Sequence, residues 1–481
     1  MKNRILKYFF GTVILAGISV LLSCNYKTEK KQDQNSNSKP NVILIMADDL
    51  GWGDVAYNGN EIAITPNLDK MAETGLKFNR FYSSSPVCSP TRGSCLTGRH
   101  PFRYGIYHAN VGHIKMEEML LSEVLKDNGY TTGHFGKWHL GTLTKNESDS
   151  NRGGKDTLNY APPWENGFDV CFSAEAKVPT WNPMIVPEKE AGGVGNKVEG
   201  EVYGSAYWIS PNQKATDNLE GDDSRVIMDR VIPFIENAVN ESNPFFSVIW
   251  FHTPHTPVVA GEEYLKMYQG QPEEYQHFYG CITAMDEQIG RLNAKLKELD
   301  VDDNTIIFFT SDNGPENNNG RPRSVGSAGK FRGQKRSLYE GGIRVPGIML
   351  WGDRIKSNKI IDMPLSTLDY FPTIINALGI KNAGNPGTID GVDFLSLIEN
   401  NIKERPTPIG FQSANQQALI DNKYKLYSLN KGKTFELYDM QNDPNETNDI
   451  AGEHPEIVDK MKHQLNEWIV SCKNSDEGND Y

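Results

Sequence analysis

Three short apolar runs constrain the fold of this chain most. Residues 41–46, 245–251 and 305–310 are almost continuously apolar, as strands buried on both faces of a parallel sheet are. Amphipathic segments at residues 226–239 and 275–299 predict helices between them. This alternation predicts an α/β fold built on a mostly parallel sheet flanked by helices.

Polar side chains directly follow two of these runs. Asp48 and Asp49 come after the first run, and Asp312 and Asn313 come after the third. Open α/β sheets place their ligands at the carboxyl ends of the strands. The four side chains offer only oxygen ligands, which suit Ca²⁺ or Mg²⁺ and not zinc. For Asp48 and Asp49 taken alone, a solvated loop or a helix cap remains the alternative.

Residues 88–99, with the sequence CSPTRGSCLTGR, predict a helix that begins at an anion site. Pro90 suits the first helical turn, and Gly98 suits the end of the helix. Cys88 then lies at the helix N-terminus, where free backbone N–H groups favour negative charge. Arg92 follows one turn later on the same face. The alternative is that Cys88 is an ordinary buried cysteine.

Four sequence blocks together resemble the type I sulfatases. They are CSPTR with LTGR at residues 88–92 and 96–99, GKWHLG at 136–141, PHTP at 254–257 and GQKRSLYEGG at 333–342. Thr91 stands where many members carry Ser, and Arg336 stands where Gly is common. The resemblance extends over nearly all of residues 39–470. It implies an alkaline-phosphatase-like fold, with a large mixed, mostly parallel sheet and a small C-terminal antiparallel sheet plus helix.

The resemblance also implies the composition of the site. In that family the cysteine of the pentapeptide is oxidised after translation to formylglycine, and its hydrated aldehyde is the nucleophile. One Ca²⁺ per chain is implied, with the modified residue completing its ligand shell. The implied metal ligands are Asp48, Asp49, Cys88, Asp312 and Asn313. The implied catalytic residues are Cys88, Arg92, Lys137, His139, His255 and Lys335.

Three residues are implied to move protons. Asp312 assists deprotonation of the hydroxyl that attacks sulfur, and His255 protonates the leaving alcohol. His139 then deprotonates the second hydroxyl, so that the aldehyde reforms and sulfate is expelled. His252, three residues before His255, remains open between a substrate contact and a structural role.

The N-terminal residues predict export. Lys2, Arg4 and Lys7 precede an apolar run at residues 8–22 that is short for a membrane span. The run ends in LLSC at residues 21–24, which resembles a bacterial lipobox with Cys24 as the acylated residue. We therefore expect an anchored lipoprotein of a Gram-negative bacterium, in the periplasm or on the outer-membrane surface. A plain signal peptide and an uncleaved anchor are the alternatives.

Four segments follow from these patterns. We expect a lipoprotein signal peptide at residues 1–24 and a polar, disordered tether at 25–39. A sulfatase catalytic domain is expected at 40–405. An α+β subdomain is expected at 406–481, where alternating runs predict antiparallel strands and residues 456–470 predict a helix.

Charge and cysteine content exclude several classes of protein. The net charge of -13 argues against nucleic-acid binding. At a Debye length of about 8 Å, distant surface charge does not oppose an anionic substrate that is held by local cations. The six cysteines contain no C-x-x-C pattern, so neither a zinc site nor a disulfide framework is indicated.

The sequence thus predicts a sulfuric ester hydrolase, and the anchored location favours a sulfated carbohydrate as its substrate. A formylglycine-generating or other maturation enzyme acting on Cys88 is the implied protein partner. The alternatives are a phosphodiesterase or phosphonate monoester hydrolase of the same superfamily, and a non-catalytic lipoprotein that binds sulfated glycans.

Residues 147–223 lack clear periodicity and contain several aromatic residues, which either shape a sugar-binding rim or pack this insertion against the body.

Overall fold

The computed structural model describes residues 39–147, 157–317, 322–355 and 359–481. The predicted signal segment with Cys24, and all but the last residue of the predicted tether, lie outside these residues. Residues 39–481 form one compact unit. Among the described residues, no helix combines the length and the apolarity that crossing a bilayer requires.

Strands and helices alternate through the first three quarters of the described chain. The strands are β1 (Asn41–Ala47), β2 (Leu76–Phe78), β3 (Phe81–Tyr82), β4 (Thr131–Lys137), β5 (Val170–Ala174), β6 (Trp208–Ser210), β7 (Gln213–Lys214), β8 (Phe245–Trp250), β9 (Thr305–Ser311), β10 (Gly347–Trp351), β11 (Lys359–Ile361), β12 (Leu365–Ser366), β13 (Ile409–Ser413), β14 (Gln416–Ile420), β15 (Tyr424–Ser428) and β16 (Glu436–Asp439). The helices are α1 (Pro66–Thr74), α2 (Cys88–Thr97), α3 (Pro101–Tyr104), α4 (Leu121–Asp127), α5 (Asp223–Asn240), α6 (Glu262–Met267), α7 (Glu273–Glu298), α8 (Glu340–Ile343), α9 (Tyr370–Ala377), α10 (Phe394–Glu399) and α11 (Pro455–Asp476).

Ten strands form one mixed sheet in the order β11-β2-β10-β9-β1-β8-β4-β5-β6-β7. Its centre is parallel, because β9, β1, β8, β4 and β5 pair in the same direction. By contrast, β10 runs antiparallel to both of its neighbours, and β6 and β7 add an antiparallel edge. The prediction of a large, mostly parallel sheet is confirmed.

The apolar runs are continuous because both faces of this sheet are covered. In β1, Val42, Leu44 and Met46 pack into one hydrophobic core, whereas Ile43 and Ile45 pack into a second core on the other face. Side chains alternate between the two faces of a strand, so two cores demand apolar residues at every position.

The insertion before α5 contributes strands to the sheet, which the sequence pattern did not indicate. Three of its aromatic residues, Tyr203, Tyr207 and Trp208, are almost fully buried. Tyr207 stacks on Phe172 with a ring-centroid distance of 4.0 Å. Tyr207 and Trp208 therefore pack the insertion against the body, and Tyr203 packs within the insertion against Val186 and Val194.

A separate antiparallel sheet completes the fold. β13, β14, β15 and β16 pair in sequence order, and α11 packs Met461 and Leu465 against one face of this sheet. This confirms the predicted C-terminal antiparallel sheet plus helix. The domain boundary after residue 405 remains a prediction.

Candidate active site

The carboxyl ends of β1 and β9 bring four polar side chains together. The two strands are neighbours, with Ala47 opposite Ser311. Beyond them, the backbone N–H of Asp49 donates to Oδ1 of Asp312 at 3.1 Å, and Nδ2 of Asn313 donates to Oδ1 of Asp49 at 2.7 Å. Asp48 and Asp312 are fully buried.

Cys88 lies at this oxygen cluster, at the first residue of α2. Its Sγ and one carboxylate oxygen each of Asp48 and Asp312 lie within 4.8 Å of one another. Burial raises the pKa of the Cys88 thiol, and Lys137 and Lys335 only partly oppose this effect. An unmodified Cys88 is therefore a protonated thiol at neutral pH, which makes it a weak nucleophile.

Three basic side chains neutralise the three carboxylates one by one. Arg92 Nη2 lies 2.5 Å from Oδ2 of Asp312, and Lys137 Nζ lies 2.5 Å from Oδ2 of Asp48. Lys335 Nζ lies 2.6 Å from Oδ1 of Asp49. These cations come from a helix, a strand end and a loop that are far apart in sequence. The site is thus a buried, charge-balanced cluster.

The pKa values of Asp312 and Asp49 are shifted in opposite directions. Burial and the neighbouring Asp48 carboxylate raise the pKa of Asp312 to about 6, against the opposing effect of Arg92. At Asp49 burial acts in the same direction, but Lys335 and His255 outweigh it and hold the pKa below its usual value. Asp312 therefore holds a proton more readily than Asp49, because it is buried beside a second carboxylate.

The donor set fits a hard divalent cation. Oδ1 of Asp48 and Oδ1 of Asn313 are buried, and within the described residues neither accepts a hydrogen bond. A buried oxygen without a partner is costly, and a cation is one way to satisfy it. Both oxygens belong to the residues at the two strand ends, and the ligand type is the one that Ca²⁺ and Mg²⁺ prefer.

Two histidines flank the cluster in different ways. His139 follows β4 with a φ of +58°, and its Nε2 lies 2.6 Å from Oδ1 of Asn110. His255 donates from Nδ1 to the carbonyl oxygen of Thr256 at 2.7 Å. Its Nε2 therefore carries the lone pair of the neutral ring and lies 3.7 Å from Oδ2 of Asp49.

The geometry of His252 favours the structural alternative. Its side chain is fully buried, with Nδ1 2.9 Å from Oδ2 of Asp223 and Nε2 3.0 Å from the carbonyl oxygen of Ala176. Both ring nitrogens are thus committed to protein acceptors. The residue ties the end of β8 to the start of α5.

Sequence reasoning missed Asn110, Glu316 and the conformation of Arg336. Asn110 lies in an irregular loop and carries no local signal. Arg336 forms a bidentate pair with Glu316 at 2.9 and 2.6 Å, and its φ is +76°. The one available signal was the position of Arg336 where Gly is common, since Gly is the residue that most easily adopts a positive φ.

The fold and this site define a hydrolase of the alkaline phosphatase superfamily. Residues 40–380 match the family described as Sulfatase. Residues 326–471 match the family described as N-sulphoglucosamine sulphohydrolase, C-terminal. The chain belongs to the sulfatase family and is a sulfuric ester hydrolase.

Several relatives are similar over most of the chain. N-acetylgalactosamine-6-sulfatase of Mus musculus is 31% identical over 381 residues, which cover 76% of this chain and 68% of that protein. N-acetylgalactosamine-6-O-sulfatase of Bacteroides thetaiotaomicron is 30% identical over 517 residues, covering 96% and 98%. The crystal structure of Ps i-CgsB in complex with k-i-k-neocarrahexaose aligns with a TM-score of 0.77 and 26% identity, covering 91% of this chain and 94% of that one.

Proposed function

We propose that this protein releases inorganic sulfate from a sulfated saccharide at the site around residue 88. One observation carries the proposal: Asp48 and Asp312 lie beside Cys88 at the start of α2, within a cluster of three carboxylates that are paired with three basic side chains. A sulfate ester is an anion, and each cation at contact distance stabilises it by about 4 kcal/mol at an effective dielectric constant of about 20.

The names of the relatives point to a substrate. Two of them are named for N-acetylgalactosamine 6-sulfate, and the aligned crystal structure contains k-i-k-neocarrahexaose. We propose a sulfated sugar of this kind as the substrate, with N-acetylgalactosamine 6-sulfate as the first compound to test. The surface charge of the whole chain does not oppose such a ligand, because screening limits its reach.

We propose that Cys88 is converted to formylglycine by a maturation enzyme. When hydrated, that group supplies a geminal diol, from which one hydroxyl can attack sulfur and the other can later expel sulfate. Support comes from the CSPTR block and from the raised pKa of the buried thiol, since the unmodified side chain is poorly suited to attack.

We propose Ca²⁺ as the resident metal, with Asp48, Asp49, Asp312, Asn313 and residue 88 as its ligands. When bound, a divalent cation adds positive charge and Lewis acidity to the site. Asp48 and Asp49, which pair with Lys137 and Lys335 here, would hold the cation instead. Both lysines and Arg92 would then be able to direct N–H groups at the sulfate oxygens.

The proposed proton transfers use three residues. Asp312 accepts the proton of the attacking hydroxyl, because it lies beside residue 88. His255 has its lone pair on Nε2, on the side of Asp49, and the bound anion favours the protonated ring that donates to the leaving oxygen. His139 takes the proton of the second hydroxyl.

Sulfate release from a panel of defined sulfated monosaccharides tests this function. Protein co-produced with a maturation enzyme should release sulfate from at least one sugar, and Cys88→Ala should abolish turnover without unfolding the protein. Cys95→Ala, on the same helix and equally buried, is the matched control and should remain active. Hydrolysis of an aryl phosphate diester in preference to every sulfate ester would overturn the proposal.

Thermal unfolding tests the metal without relying on activity. After chelation, added Ca²⁺ should raise the melting temperature, because a ligand that binds only the folded state stabilises it. Asn313→Ala should reduce that increase. An identical melting temperature with and without Ca²⁺ would contradict the proposed metal site.

We also propose that the protein is an exported lipoprotein anchored through Cys24. The LLSC sequence after a basic and apolar N-terminal segment supports this. Cells that express the chain should incorporate labelled fatty acid into it and should not do so with Cys24→Ala. Equal labelling of both forms would exclude Cys24 as the anchor.

A further inference from the structure

We infer that Arg336 and Glu316 form a subsite that binds hydroxyl groups of the sugar ring carrying the sulfate ester. This inference rests on the proposed function. It adds a specificity-determining pair that contacts the substrate beyond its sulfate group. Backbone conformation, position, exposure and charge support it.

Arg336 has a backbone conformation that is energetically unfavourable for an arginine. Its φ of +76° lies in the left-handed region, where a side chain with a Cβ is strained and glycine is not. Such strain persists where the surroundings hold the residue in place, and it is concentrated at functional sites. A glycine would satisfy the backbone here, so the long side chain itself needs an explanation.

The backbone of Arg336 is held next to the site from two sides. Its N–H donates to the carbonyl oxygen of Pro86 at 2.8 Å, two residues before Cys88. Its carbonyl oxygen accepts from Nε2 of Gln416 at 2.7 Å. Lys335, the preceding residue, contacts Asp49. The position of Arg336 relative to residue 88 is therefore set by main-chain contacts.

Exposure distinguishes Arg336 from the other cations of the site. The side chains of Arg92, Lys137 and Lys335 are at most 6% exposed, whereas that of Arg336 is 45% exposed. A sulfate held at buried Cys88 must carry its sugar outward to solvent. Arg336 is the exposed cation next to the site, where Asp49 and Cys88 are near enough to help raise its pKa, after the larger effect of its hydrogen bond to Glu316.

The pairing with Glu316 indicates which chemical group the subsite binds. The bidentate bonds of 2.9 and 2.6 Å make the pair neutral overall and fix the plane of the guanidinium. The remaining N–H groups of the guanidinium face away from the carboxylate. A neutral pair with fixed donors suits the hydroxyl and ring oxygens of a sugar better than a second anionic group.

Comparing a saccharide sulfate with an aryl sulfate as substrates distinguishes a sugar-binding role of Arg336 from a purely structural ion pair. Arg336→Gly removes the side chain and suits the positive φ, so the fold should persist. We expect kcat/KM for the preferred saccharide sulfate to fall at least about tenfold more than kcat/KM for a simple aryl sulfate, which has no sugar ring, as loss of one charged hydrogen bond predicts. Arg336→Lys should restore only part of the loss, because lysine lacks the planar fork.

A matched control and a binding measurement complete the test. Arg354 is also 45% exposed and paired with a glutamate, Glu399, at 3.1 Å. Arg354→Ala should leave kcat/KM unchanged for both the saccharide sulfate and the aryl sulfate. In the Cys88→Ser background, Arg336→Gly should weaken saccharide sulfate binding more than inorganic sulfate binding. Equal losses for both ligands, or no loss, would overturn the subsite. Wild-type protein that neither binds nor cleaves any saccharide sulfate would instead overturn the proposed function, and the subsite with it.

Discussion

At the scale of single residues, two cysteines on one helix show how surroundings decide chemistry. Cys88 and Cys95 are both buried on α2, and burial raises the pKa of both thiols. Cys88 begins the helix and lies beside Asp48 and Asp312. Cys95 lies two turns further on and packs in the hydrophobic core. Position along the helix, more than residue type, separates the cysteine at the candidate site from a packing residue.

Asn110 is expected to position His139. Its Oδ1, as an acceptor, keeps the ring proton of His139 on Nε2. Asn110→Gly removes this contact and suits the φ of +65°. We expect kcat to fall on the order of tenfold with KM little changed, because proton transfer requires an oriented ring. Steady-state kinetics on an aryl sulfate measure this.

Asn401 offers a matched control for that variant. It is an exposed asparagine with a φ of +57° in a loop after α10. Asn401→Gly should leave kcat as in the wild type. If Asn110→Gly behaves like Asn401→Gly, Asn110 does not position His139.

At the scale of elements, the ends of strands and helices place the site. The carboxylates follow β1 and β9, Lys137 ends β4, and Cys88 begins α2. Strand ends at one edge of a parallel sheet are close in space, although they are far apart in sequence. The apolar runs predicted these strands because burial on both faces requires them to be apolar.

Asp286 on α7 should make the stability of the fold depend on pH through its contact with α1. It accepts N–H groups from Asn67 and Leu68 in the first turn of α1, at 3.0 and 2.7 Å. Burial raises its pKa to about 6, above the value of about 4 that an unfolded chain has. The folded state thus binds the extra proton between these values, so this residue loses stabilising effect as pH rises from about 4 to about 6.

Asp286→Asn should remove that pH dependence. The free energy of unfolding of the wild type, relative to that of the variant, should be higher at pH 4.5 than at pH 7 by about 2 kcal/mol. Denaturant unfolding at both pH values measures it, and the difference should be constant between pH 7 and pH 8. A difference that grows with pH would contradict the assignment.

At the scale of the whole molecule, a buried lysine joins the C-terminal sheet to the catalytic body. Lys425 on β15 is fully buried, 3.0 Å from Glu340 and 2.8 Å from Glu446. Lys425→Met leaves Glu446 without its paired lysine, while Glu340 keeps its ion pair with Arg344, at 3.1 Å. We expect a loss of about 3 kcal/mol of unfolding free energy, because an uncompensated buried charge is costly.

Lys423 is the matched control for this loss. It lies two residues earlier, is 46% exposed, and is 3.8 Å from Asp439. Lys423→Met should change the free energy of unfolding by less than about 0.5 kcal/mol. Equal effects of the two variants in denaturant unfolding would show that the buried cluster does not hold the sheet in place.

The sequence predicted the sheet and the C-terminal subdomain, because apolar runs and alternation report burial directly. The strand ends also predicted that Asp48 and Asp312 lie together, and the resemblance to the sulfatases added Cys88 to them. It could not predict that Asn110 contacts His139, since a loop side chain finds its partner only through tertiary packing. Nor could it separate the insertion's buried aromatics from an exposed rim, because the strands β6 and β7 are too short to show periodicity.

The mass of the peptide that contains residue 88, taken from protein that releases sulfate, shows whether Cys88 has been converted to formylglycine. We expect the cysteine thiol to be replaced by an aldehyde or its hydrate at residue 88, a hydrazide probe to label this residue, and Cys95 in the same peptide to remain a thiol. An intact thiol at residue 88 in fully active protein would contradict this expectation.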